Sequence, residues 1–137
     1  MTLKGTLESR ITYRVKRNAD SVFLRKDFAD IGGYDQVGRI LRQLVNKGLL
    51  IDLGYGVYAR TKRSSVTGKL VPEKPLPELA KEAMKKQGVK TAPTEAEKAY
   101  NEGRSTQVPT GRVIGVNRRV SRKLGYDGKY VTFKKVS

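Results

Sequence analysis

Between Gly33 and Gly48 the sequence specifies a helix with two unlike faces. From Tyr34 or Asp35 to Lys47, the residues Val37, Ile40, Leu41, Leu44 and Val45 recur at the spacing that lines one side of an α-helix. The opposite side presents Tyr34, Gln36, Arg39, Gln43 and Asn46, with Arg42 beside them and no acid after Asp35. Lys47 stands near the negative end of the helix dipole, and Gly48 supplies the left-handed residue that ends the helix. A helix of this kind is stable only with its apolar back covered, so its neighbours in sequence must supply a small core.

The preceding residues supply it. Thr6 caps a first helix in which Leu7, Ile11 and Val15 form one stripe. Asn18-Ala19-Asp20 breaks that helix, and Val22-Phe23-Leu24 is a short β-prone run. Asp27 is placed to cap a brief second helix carrying Phe28 and Ile31, which Gly32-Gly33 ends. After the third helix, Leu49–Leu53 and Val57–Arg60 bracket Gly54-Tyr55-Gly56, the pattern of a β-hairpin. Helix, strand, helix, tight turn, helix and hairpin is the order of a winged helix-turn-helix, whose later helix enters the DNA major groove.

Beyond the hairpin the pattern changes. Residues 61–77 hold three prolines, Ser64-Ser65 and Gly68, which reads as a linker or extended arm. Pro77 suits the start of a fourth helix with Leu79, Ala80, Ala83 and Met84 inside, and Gly88 ends it. Thr94-Glu95-Ala96-Glu97 is a capping box opening a short helix to about Asn101. Val113–Val116 and Tyr130–Phe133 are strand candidates, and the turn Gly125-Tyr126-Asp127-Gly128 precedes the second. The expected organisation is α+β: a winged helix-turn-helix of three helices and a hairpin wing over 1–62, a linker over 63–76, and a small basic helical and β-hairpin region over 77–137.

Composition narrows the function. The 137 residues include neither Cys nor His, which excludes disulfides, thiolate metal sites and the commonest general base. A hydrophobic share of 37% is low for a single globular core, though not low enough to call the chain disordered, and the length suits one ordinary domain or two very small ones. Met1-Thr2-Leu3-Lys4-Gly5 has no apolar core of a secretory leader, so a cytoplasmic protein without a membrane partner is expected. The net charge of +16 calls for a polyanionic partner. Residues 1–60 carry 11 Lys+Arg against 6 Asp+Glu, residues 61–103 carry 9 against 6, and residues 104–137 carry 9 against Asp127 alone. The surplus is therefore held in two separate regions.

Side chains with paired donors and acceptors read base edges in the major groove. On the third helix these are Tyr34, Gln36, Arg39 and Gln43, with Arg39 suited to guanine and either glutamine to adenine. The expected backbone contacts are Arg25, Lys26, Arg42, Lys47, Tyr55, Arg60, Lys62 and Arg63. Arg112, Arg118, Arg119, Arg122 and Lys123 form either a second nucleic-acid surface or the charged outside of a small hairpin. Tyr126 and Tyr130 among them either stack on bases or belong to a core. Asp20, Asp27, Asp30 and Asp35 invite a metal or catalytic reading, but three of the four suit caps or turns and none has a ligand spacing. No Walker or dinucleotide pattern is present. No enzyme, cofactor or metal site is expected.

The run from Val22 to Arg39, with Leu41, Leu44, Lys47-Gly48, Leu50 and Gly54-Tyr55-Gly56-Val57-Tyr58, resembles the AbiEi-like antitoxins of type IV toxin–antitoxin systems. It is most similar to a short subgroup found on mobile elements, and Thr106–Arg112 looks like that subgroup too. The resemblance implies a winged-helix autorepressor of its own operon. It also implies a nucleotidyltransferase toxin encoded beside it, opposed without a stable complex. The region after the wing is shorter here than the large C-terminal domain of longer members, where antitoxin activity is usually placed. The expected function is a sequence-specific duplex-DNA-binding transcriptional repressor acting on its own operator, as a homodimer or as two monomers on a repeat. An RNA- or ribosome-associated basic protein, and an interaction module that neutralises a partner toxin, stand as alternatives.

Overall fold

The computed structural model describes residues 5–136. Met1, Thr2, Leu3 and Lys4, on which the leader reading falls, lie outside the described residues, as does Ser137. Among the described residues the fold is α+β, with four α-helices, one 3-10 turn and two four-stranded sheets. The chain divides into two compact units between Lys74 and Pro75.

The first unit runs α1 (Leu7–Arg17), β1 (Val22–Phe23), a 3-10 turn (Arg25–Phe28), α2 (Tyr34–Asn46), β2 (Leu50–Gly54), β3 (Val57–Arg63) and β4 (Leu70–Pro72). Thr6 caps α1 as its sequence requires, its Oγ1 accepting from the Ser9 N–H at 3.1 Å. The stripe on α1 and the back of α2 meet in one core of Ile11, Val15, Phe23, Phe28, Val37, Ile40, Leu41, Leu44, Leu50 and Tyr58. The Phe23 and Phe28 rings lie 6.1 Å apart within it. Gly48, at φ 81°, closes α2, and the Leu49 N–H then bonds back to the Leu44 carbonyl at 2.9 Å.

The sequence-expected second helix is only the 3-10 turn. Asp27 is its third residue rather than its cap, and its Oδ2 accepts from the Leu24 N–H at 2.9 Å. With Gly32-Gly33 five residues downstream of Asp27, the chain turns into α2 before a longer helix can form.

The hairpin joins β2 to β3 through Tyr55 (φ 55°) and Gly56 (φ 76°), a two-residue turn with both φ values positive that matches the strand twist. One edge of β3 pairs with β2. The other pairs first with β1, Val22 facing Ala59, and then with β4, Thr61 facing Pro72. The stretch over 63–76 expected as a linker therefore includes a strand, because β3 extends to Arg63 and offers β4 an edge.

Arg60 sits where β1 and β4 meet on that edge. Its backbone N–H donates to the Ser21 carbonyl at 3.0 Å, and its own carbonyl accepts from the Glu73 N–H at 2.9 Å. Its guanidinium pairs with both carboxylate oxygens of Glu73, at 3.0 and 2.9 Å, and donates to the carbonyls of Val15 and Asn18 at 2.6 and 2.7 Å. One side chain thus ties the C-terminal end of α1 to β4. Only 19% of it is exposed, and the paired guanidinium holds the Glu73 carboxyl below its usual range, with the Ser21 hydroxyl assisting.

The second unit runs α3 (Leu76–Lys86), β5 (Thr91–Ala92), α4 (Glu95–Asn101), β6 (Val113–Val116), β7 (Leu124–Tyr126) and β8 (Lys129–Lys135). The Thr94 capping box forms as the sequence indicates. The strands lie in the order β5-β6-β8-β7, with β6 and β8 parallel and the outer pairs antiparallel. The sequence suggests two strands here; β5 and β7 are too short to announce themselves by alternation. Gly115 is required in β6, because a Cβ there would lie 2.2 Å from the Ala92 carbonyl oxygen.

Arg60→Met should lower the stability of the first unit by about 2–3 kcal/mol, since it strands Glu73 and two carbonyls in a half-buried place. Chemical denaturation monitored by circular dichroism measures this. A change below about 0.5 kcal/mol would show that the network does not hold α1 to β4.

Candidate nucleic-acid interface

The core decides which side of α2 faces water. Val37, Leu41 and Leu44 are fully buried and Ile40 nearly so, while Tyr34, Asp35, Gln36, Arg39, Arg42, Gln43 and Asn46 are exposed. Gln36, Arg39 and Gln43 fall within one 60° arc at 100° per residue, about 10 Å end to end along the axis. That length spans roughly three base-pair steps of duplex DNA. Tyr34 opens the helix and is 69% exposed.

Arg25 fixes the N-terminal end of this face. Its guanidinium lies 4.4 Å from the Tyr34 ring centroid and crosses α2 at Gly38, where a Cβ would come 2.3 Å from its Cζ. Arg25 and Arg42 lie close enough to the Tyr58 hydroxyl to oppose the upward shift that burial, and then Asp52, impose on it. Lys26 is exposed on the 3-10 turn beside Arg25.

The hairpin brings a different set of groups. Tyr55 stands at its tip with 67% of its surface exposed and with a backbone φ of 55°. An aromatic residue seldom adopts that conformation, since the left-handed region favours glycine and asparagine. Lys62 and Arg63 do not flank this tip, as the sequence order suggests. They lie at the far end of β3, about 25 Å along the strand from Tyr55. There the Thr61 hydroxyl donates to the Gly48 carbonyl at 2.7 Å, which places them beside the C-terminal end of α2. Lys69 joins them across the β3–β4 turn, where Arg63 donates to the Gly68 carbonyl at 2.7 Å. The sequence reading misses Lys69 because it takes that turn for an unstructured arm.

Two of the expected backbone contacts have internal duties. Arg60 is held by Glu73 and the end of α1, so it is removed from the candidate interface. Lys47 pairs with Glu8 of α1, although more than half of its side chain stays exposed. Asp27, Asp30 and Asp52 make structural contacts. Arg14 binds Asp30 through two hydrogen bonds at 2.7 and 2.8 Å, and this holds the Asp30 carboxyl at about 2. Asp52 accepts from the Gly54 N–H at 2.7 Å in the hairpin. Among the described residues no cluster of three or more His, Cys, Asp or Glu is placed to hold a metal ion, and no helix is long and apolar enough to cross a membrane.

The second unit sorts its cations in the same way. Arg118 donates to the Gln87 carbonyl at 3.2 Å and Arg122 to the Gln87 side chain, so both brace the C-terminal end of α3. Arg122 is half-buried, which takes it out of an exposed surface. Arg112, Arg119 and Lys123 are exposed.

A family model described as a family of unknown function (DUF6088) matches residues 10–137. The chain belongs to DUF6088. The DUF6088 match begins inside α1 and runs through the second unit, so α2, the β2–β3 hairpin and the basic residues Arg112 to Lys123 lie within it. No curated protein and no solved structure matches the chain.

Gly38→Ala tests how Arg25 is held. The new methyl meets only the end of a flexible side chain, and alanine favours the helix by about 1 kcal/mol. The melting temperature should therefore hold or rise slightly while the Tyr34 ring resonances move as Arg25 leaves. A large loss of stability would contradict this packing.

Proposed function

We propose that this chain is a sequence-specific duplex-DNA-binding regulator in which the first unit acts as a winged helix-turn-helix. The observation that carries the reading is the exposed face of α2. Gln36, Arg39 and Gln43 form a stripe, the amides offering a donor and an acceptor each and the guanidinium paired donors, on a helix whose back is buried at Val37, Ile40, Leu41 and Leu44. Arg39 suits guanine O6 and N7, and Gln36 and Gln43 suit adenine N6 and N7. Arg25 and Lys26 near the N-terminal end of α2, Arg42 in its C-terminal half, and Lys62, Arg63 and Lys69 near its C-terminal end supply phosphate contacts along the groove. The β2–β3 hairpin, with Tyr55 at its tip, is the wing.

The regulatory context is proposed on the motif resemblance to AbiEi-like antitoxins: repression of the chain's own operon, with an antitoxin role beside a nucleotidyltransferase toxin. The net charge of +16 supports a nucleic-acid partner of either kind, and the α2 face favours duplex DNA over structured RNA, whose deep, narrow major groove side chains cannot read.

Selection from a random duplex library followed by binding at ~150 mM salt provides the test. Arg39→Ala should cost ~1–3 kcal/mol on the selected duplex and little on random duplex, whereas Lys62→Ala should weaken both and lower the salt slope by about one. Equal losses on both duplexes for Arg39→Ala would remove groove reading.

A further inference from the structure

The sheet of the second unit has two unlike sides. Paired residues share a side, so Ile114, Val116, Leu124 and Val131 lie together and are buried, where α3 packs across β5, β6 and β8. The same register puts Val113, Gly125, Tyr130, Thr132 and Lys134 on the other side. There Tyr130 is 43% exposed, and Val113, Thr132 and Lys134 are exposed with it.

Tyr130 is held in a particular way. Its ring lies against Gly125, where a Cβ would come 1.9 Å from the Lys129 carbonyl oxygen and 2.7 Å from the ring Cδ1, so glycine admits both the close approach of β8 and the ring. The Lys123 ammonium sits 4.4 Å from the ring centroid. Lys123 and Lys134 are the cations that register and contact place on this side, while Arg104 is paired with Glu95 and Glu102, and Arg118 and Arg122 bind Gln87; the one acid of residues 104–137, Asp127, is in the β7–β8 turn.

We infer that this side of the sheet is a platform for single-stranded nucleic acid. A base stacks on Tyr130 in place of the Lys123 ammonium, which moves to an adjoining phosphate, and Lys134 contacts a second phosphate. An exposed cation on an aromatic ring is a weaker partner than a stacked base, so the exchange is favourable. A duplex cannot make it, because paired bases keep their faces within the stack. The stacked base and flanking phosphates are common to DNA and RNA strands, and the surface uses none of the α2 residues.

Fluorescence anisotropy of the full chain at ~150 mM salt tests this, with labelled oligo(dT) and oligo(U) of about twelve nucleotides and a random duplex of that length. Both single strands should bind, and Tyr130→Leu should leave duplex binding, which runs through the first unit, unchanged. Tyr130→Leu still covers Gly125 but offers no π-face, and should weaken single-strand binding about tenfold. Tyr130→Phe should keep wild-type affinity. Lys134→Ala should reduce the salt slope by about one, and Tyr130→Leu should leave it unchanged. Arg39→Ala should leave single-strand binding intact, which separates this surface from the α2 face. Wild-type single-strand affinity in a folded Tyr130→Leu protein, a Phe variant as weak as the Leu variant, or an equal loss of duplex binding in Tyr130→Leu would overturn the platform.

Discussion

Burial of the apolar back of α2 is the constraint from which the first unit follows. Val37, Ile40, Leu41 and Leu44 need a surface on α1, on Phe23 and Phe28, and on the first residues of the hairpin. Each such side chain removed from water contributes roughly 1.5–3 kcal/mol, and thirteen residues of helix have no other comparable source of stability. Once that side is covered, the helix has no rotational freedom left. Gln36, Arg39 and Gln43 face outward because the greasy residues three and four positions away face in.

The positive charge of the chain is not one property. Arg60, Arg14 and Arg122 are bound to carboxylates, carbonyls or amides, and their task is to join elements. Arg39, Arg42, Lys62, Arg63 and Lys69 are exposed around α2 and β3, and Lys123 and Lys134 are exposed on the second sheet. Net charge says only that a polyanion is a good partner. Placement divides the cations into those that hold the protein together and those left exposed.

That division marks how far the sequence could be read. The helices were legible because their apolar periodicity and caps are local: Thr6, Thr94, Gly48 and the α2 stripe each act within a few residues. The outward face of α2 follows from the same periodicity. Arg60 reads as one more cation after a hairpin, because its partners, Glu73, Val15 and Asn18, lie 13 to 45 residues away. The strand β4 was hidden by prolines that signal a loop, yet Pro72 is compatible with the end of an edge strand. β5 and β7 have two and three residues, too few for a period, and their places are set by β6 and β8. The separation of Tyr55 from Lys62 and Arg63 is likewise a property of an extended strand, not of proximity in sequence.

The two units present two chemistries, a helix face with paired donors and acceptors in the first and an aromatic on a basic sheet in the second. The central claim concerns the first. Amide and side-chain NMR shifts of the full chain, titrated with a duplex chosen from a random library, report which residues meet DNA. The account predicts the largest changes at the Gln36 and Gln43 side-chain amides and the Arg39 Nε, with smaller ones at Arg25, Tyr55, Lys62 and Lys69. Tight binding of that duplex with these α2 signals unmoved, and the changes confined to residues 75–136, would contradict it.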